Sequence, residues 1–191
     1  MILTDRNIIL TYKKTVVAII ILLFVPACFI SAQTTATQTV SPTITNSIAI
    51  IFSGTGTSTG SAVSIPFSTV SDYANGVTSA TQALVVESNM SFNVTVNASS
   101  ASFTYSGTTT PSPVLAVTSL KLMVTANGTG GSIAGTFGSS FTSLTSSAQN
   151  LITGGTSGSN QTFSIQYKAT PGYGFPAGTY TTSIVFTATQ F

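Results

Sequence analysis

Histidine and tryptophan are absent from this 191-residue chain, cysteine occurs once, and charge is confined to five basic and three acidic residues. Each shortage removes a class of chemistry. Without His, and with the one Cys at position 28 near the start, zinc, copper and haem sites lose their usual ligands. Serine or cysteine nucleophiles activated by His are excluded on the same ground. A single Cys forms no internal disulfide, so a folded domain here must rest on an apolar core and sheet hydrogen bonds. Nucleic-acid and polybasic membrane binders need clustered Lys/Arg, and no such cluster exists beyond the first fourteen residues.

Charge is also placed unevenly. Arg6, Lys13, Lys14 and Asp5 lie at the start, which leaves Lys121 and Lys168 against Asp72 and Glu87 in the remainder. The positive start precedes an uncharged apolar run, Val16 to Val25, which Pro26 interrupts. This is the pattern of a secretory leader, and ten residues are too few to span a bilayer, which takes about 20. Ile30-Ser31-Ala32 offers a cleavage site with Gln33 as the new first residue, so a leader over residues 1–32 is expected. An uncleaved signal anchor is the alternative, with the domain on the same side of the membrane. Val25-Pro26-Ala27-Cys28 resembles a lipobox and gives lipidation of Cys28 as a second processing route, although an ordinary apolar Cys in the leader is favoured. The expected location is secreted or cell-surface, in the periplasm or on the outer-membrane exterior. Membrane contact would come only through the leader or a lipid anchor.

From Gln33 onward Ser and Thr dominate, which suits either a disordered stalk or a sheet with Thr on its wet face. Periodicity separates the two. Phe92, Val94 and Val96 alternate with polar residues, as do Phe163, Ile165 and Tyr167, and Leu120, Leu122 and Val124. Period two belongs to half-buried antiparallel strands, and a stalk has no reason to alternate. Further strands are expected at 47–52, 62–67, 80–87, 101–105, 144–153 and 179–190, separated by Gly-rich and Asn-Gly turns. Helix is expected to be scarce, with 141–151 the best short candidate. The fold class is all-β: an antiparallel β-sandwich, Ig-like or jelly-roll in style, of about 8–10 strands over residues 46–191. Residues 33–45 form an extended arm or a first strand; an arm could also pair with the sheet edge of a neighbouring subunit.

Asp72 and Glu87 are the only carboxylates outside the leader, and a glycosidase needs two facing each other. Asp72 falls in a loop-like stretch and Glu87 at a strand end, so both read as solvated surface charges. Calcium would need more clustered carboxylate oxygens than these supply. Gly54 to Gly60 lacks the Lys of a phosphate loop and reads as a hairpin loop. Asn-x-Ser/Thr sequons occur at Asn89, Asn93, Asn97, Asn127 and Asn160; several are expected by chance in so Ser/Thr-rich a chain, and the first three fit one wet strand face. No catalytic, cofactor-binding or metal-binding residue is expected. Tyr73, Tyr105, Tyr173, Phe175 and Tyr180 are candidate sugar platforms, with Tyr173 and Phe175 foremost because they sit in a Pro/Gly loop.

Pro176-Ala177-Gly178-Thr179-Tyr180 leads into the alternating final stretch Thr181 to Thr187. This stretch resembles the C-terminal strand of bacterial surface β-sandwich families, spore-coat-U-type pilin subunits and WxL-type wall-associated domains among them. The leader end Ser31-Ala32-Gln33 with its Thr/Ala/Gln-rich sequel is similar to that of secreted proteins of the Bacteroidota. The resemblance implies a surface location and a sandwich; the chain departs from it in having neither a disulfide nor a Trp. The combined expectation is a non-enzymatic structural or adhesive surface domain, pilin-like in pairing with itself through strands. The alternatives are a carbohydrate-binding module for surface glycans and, third, an outer-membrane barrel. Against the barrel, Thr189, Thr187 and Val185 form too polar a stripe before the final Phe191.

Overall fold

The computed structural model describes residues 34–191. The leader, Cys28, Ala32 and Gln33 lie outside the described residues. The chain divides into two units at Thr43/Ile44. In the first, residues 34–43 carry no strand or helix and Val40 is 79% exposed.

The second unit, Ile44–Phe191, is almost wholly β. Its strands are β1 (Ile48–Phe52), β2 (Val77–Thr78), β3 (Gln82–Ser88), β4 (Phe92–Ala98), β5 (Thr104–Ser106) and β6 (Leu120–Asn127). They continue as β7 (Ser132–Ile133), β8 (Thr142–Ser143), β9 (Gln149–Gly155), β10 (Gly158–Ala169), β11 (Thr179–Thr181) and β12 (Ile184–Gln190). Every pairing is antiparallel. One sheet runs β1-β3-β10-β6-β8 with β2 beside β10; the other runs β12-β4-β9-β7; β5 and β11 form a separate pair.

The alternating residues meet between the sheets. Leu84 and Val86 of β3, Leu122 of β6 and Phe163 and Ile165 of β10 face Phe92, Val94 and Val96 of β4 and Leu151 and Ile152 of β9 in one core cluster. All are at most 1% exposed. Fully burying an aliphatic or aromatic side chain contributes about 1.5–3 kcal/mol, so this seam holds a domain that has no disulfide. Alternation breaks within the core on β9, where Leu151 and Ile152 are neighbours and both buried. Val94 pairs with Ile152 but Thr95 pairs with Asn150, so Leu151 is an extra residue in a β-bulge, and the kink turns it inward.

Turn chemistry follows the residue types. The expected Asn-Gly turn after β6 is an Asx turn: Asn127 Oδ1 accepts from Thr129 N and Oγ1 at 3.1 and 2.7 Å, and Asn127 Nδ2 donates to Gly131 O at 2.8 Å. Three expectations are corrected. Residues 62–67 form no strand; Pro66 has no N–H for a ladder, and Ile65 only packs against the core rim. Residues 141–151 form no helix but contribute β8 and the start of β9. The one α-helix among the described residues, α1 (Val70–Asn75), lies instead where a loop is expected. Thr69 caps it: its hydroxyl accepts from Asp72 N, while Asp72 Oδ2 accepts from Thr69 N at 2.7 Å, a capping box.

Tyr167 of β10 is 7% exposed, and burial pushes its hydroxyl far above the ordinary tyrosine value of 10. Between 10 and the folded value the native state holds a proton that the unfolded state has lost. This contribution to stability is therefore complete below pH 10 and is lost as pH rises through the folded value. Thermal melts from pH 8 to 11.5 should show stability falling above pH 10, with a Tyr167 share of up to about 1.4 kcal/mol per pH unit. Tyr167→Phe should remove that share, and identical slopes in the two proteins would contradict it.

Candidate functional site

The five candidate aromatics fall into two groups, and the loop of residues 171–178 contributes Tyr173 to one and Phe175 to the other. Tyr173 stacks on Tyr73, ring centroids 5.9 Å apart and planes 23° from parallel, and Tyr73 leans on Phe67 at 5.4 Å. Tyr173 Oη donates to Val70 O at 3.0 Å, tying the loop to the first turn of α1. A second group forms where β5 pairs with β11. Tyr105 and Tyr180 are register partners with rings 5.0 Å apart, and Phe175 meets Tyr180 edge-on at 6.2 Å.

Both hydroxyls of that pair hold the loop. Tyr105 Oη donates to Ala177 O and Tyr180 Oη to Pro176 O, each at 2.9 Å. Burial first, then the Tyr105 and Tyr73 hydroxyls, hold Tyr180 above the ordinary tyrosine range. A Cβ at Gly107 or Gly178 would run into the Tyr105 ring, so glycines flank it for close approach. Of the two foremost candidates, Tyr173 is 65% exposed and Phe175 is half-buried.

Asp72 and Glu87 are not brought together. Asp72 caps α1, and Ser68 N and Thr69 N hold its carboxyl below the usual carboxylate range. α1 leads into β2, which pairs with Ala169, whereas Glu87 lies between Val86 and Ser88, whose partners are Gln161 and Gly158. The strand rise puts roughly 25 Å of β10 between those positions, too far to flank one glycosidic bond. Asn93 and Asn97 lie on the outer face of β4, but Asn89 lies in the β3–β4 turn. Its side chain accepts from Ser47 N at 2.9 Å and donates to Thr45 O at 2.8 Å.

Sequence reasoning does not reveal a second feature, the side of the sandwich where β1 and β12 meet. β12 pairs with β4 alone, and β1 with β3 apart from one bridge in which Phe52 N donates to Thr57 O at 2.8 Å, so each is an edge strand, with β1 open over Ile48 to Ile51. Ser183 O accepts from Ser99 N, and Phe191 N donates to Ser91 O. The odd residues of β12 therefore bond to β4, and the N–H and C=O groups of Ile184, Phe186, Ala188 and Gln190 point outward. Between the two edges lies an apolar cleft of about 200 Å³ lined by Ile50, Phe52, Leu84, Ile184, Val185 and Phe186 among others. Gln190 Nε2 closes one end, within 2.8–3.0 Å of Ser47 O, Ser88 Oγ and Asn89 Oδ1.

No group of three or more potential metal ligands occurs among the described residues, and no described helix is long and apolar enough to cross a membrane. Protein-family models and curated proteins contain no match to this chain.

Proposed function

We propose that this chain is an exported, non-enzymatic structural or adhesive surface domain that assembles with copies of itself by strand pairing along the β1–β12 side. The observation that carries this reading is the unprotected pair of edges. Soluble sheet proteins blunt their edges with lysines, prolines, bulges or very short strands. Neither Ile48–Phe52 nor Ile184–Gln190 contains a charge or a Pro. The opposite edges, β7 and β8, are two residues each and offer little to pair with.

The segment Gln33–Thr45, which forms no strand within its own copy over residues 34–43, is the pairing partner, with Pro42 at a position whose missing N–H faces away from the ladder. It is uncharged, and its Val40 and Ile44 are 79% and 84% exposed. Laid along β12 of a neighbouring copy, it would satisfy outward N–H and C=O groups and set apolar side chains over the cleft. The leader reading of residues 1–32 supplies export, and the wet, Thr-rich strand faces suit an outer surface.

Static light scattering of the exported protein over a range of concentrations tests this directly. Wild type should grow into oligomers, and deletion of Thr34–Thr45 should leave monomers. Val185→Lys on the exposed face of β12 should reduce the association constant by at least about tenfold, since a charge on an edge opposes pairing. A wild type that stays monomeric at every concentration rejects the proposal.

A further inference from the structure

Beyond assembly, the geometry points to a carbohydrate site on the exposed ring of Tyr173, which stacks against one apolar face of a neutral pyranose in a polysaccharide. Tyr173 has one face covered by Tyr73 and its hydroxyl tied to Val70 O, yet it remains 65% exposed. An exposed tyrosine held at both face and edge is a preformed flat surface, so little rotamer entropy is lost when something lies on it. Phe67 meets Tyr73 at a tilt of 52° with centroids 5.4 Å apart, which adds a contact that holds Tyr73 in place. Pro171, Gly172 and Gly174 surround Tyr173 in the loop, and Gly172 takes φ +74°, a left-handed turn that few other residues tolerate.

Pyranoses present C–H groups on one face and hydroxyls around the rim, which matches a π face beside polar groups. Ser71 and Asn75, two residues either side of Tyr73, lie on the other face of α1, where Asn75 Nδ2 donates to Ser71 Oγ at 3.0 Å; the polar groups adjoining the ring along the chain are the backbone amides and carbonyls of Gly172 and Gly174. The local acid, Asp72, is committed to capping, so nothing there favours a cation. The scale of the patch also favours a sugar over a protein. Tyr173 and Val70 are its strongly exposed apolar side chains, whereas a stable protein interface covers about 800 Å² on each partner.

Affinity electrophoresis of the exported protein tests the site, with gels containing a β-glucan, a xylan, a mannan or a starch-type α-glucan, and alginate as the acidic comparison. Wild type should be retarded by at least one neutral polymer. Tyr173→Ala should weaken that retardation tenfold or more, while Tyr173→Phe, which keeps the ring, should stay within about threefold of wild type. Ring signals of Tyr173 in proton NMR should shift on addition of oligosaccharides of the retarding polymer, which tests wild type alone should the alanine variant misfold. No retardation by any neutral polymer, retardation by alginate alone, or an alanine variant that binds like wild type would each overturn the inference. Light scattering of Tyr173→Ala should match wild type, so failure here and failure of self-assembly are read separately.

Discussion

Cutting Phe92 back to alanine should cost the domain about 3–5 kcal/mol, as large aromatic truncations do in closed cores. Phe92 is fully buried on β4, a strand with partners on both sides, and its register partners are Gln190 of β12 and Gly155 of β9. The lost ring leaves a void between two sheets whose backbones are fixed by ladder hydrogen bonds, so collapse around it is limited. Urea unfolding followed by circular dichroism should show a lower midpoint with an unchanged slope. A loss below about 1 kcal/mol would mean that the sheets close over the gap and that the core is far softer than its packing indicates.

The second large effect comes from adding one carbon rather than removing a ring. Gly155→Ala should destabilise by about 1–3 kcal/mol through overpacking. A Cβ built on Gly155 would sit 2.6–3.0 Å from three atoms of the Phe92 ring. On the surface such a ring would swing aside, but Phe92 is enclosed and has nowhere to go. The two substitutions should therefore compensate. In the Phe92→Ala background Gly155→Ala should cost almost nothing, a coupling of about 1–3 kcal/mol in a double-mutant cycle. Simple additivity would show that the ring and the glycine do not touch in solution.

Both residues show how far the sequence can be read. Phe92 was legible, because Phe92, Val94 and Val96 alternate with polar neighbours and alternation reports a strand with one face buried. The same pattern places β6 and β10 within a residue or two at their centres. Gly155 reads only as a turn signal; its tight fit to Phe92 depends on a partner sixty-three residues away and appears only once β4 and β9 are paired. Local patterns also fail where a bulge resets the period, as at Leu151 and Ile152. Helix α1 is too short to show a period of 3.6, although Thr69-x-x-Asp72 is a capping pattern that marks its start. The final stretch, one strand by alternation, is two because β11 turns aside to pair with β5 while β12 joins β4.

The aromatic cluster follows the same rule. Its members are conspicuous in the Pro/Gly loop and its surroundings, but Tyr105 meets Tyr180 only through the β5–β11 register. The open side was not legible at all. Which strands end a sheet is a property of topology, and β1 and β12 come from opposite ends of the domain.

That last fact has a mechanical side. The first and last strands of the sandwich adjoin, and the Gln190 amide reaches Ser47 O, so chain enters and leaves at one corner. Tension between those two strands would meet a few side-chain hydrogen bonds and the outermost ladders, and would bypass the core. A domain whose first and last strands share a corner makes a poor link in a single covalent chain under load. A fibre built from it would be only as strong as the contacts between copies.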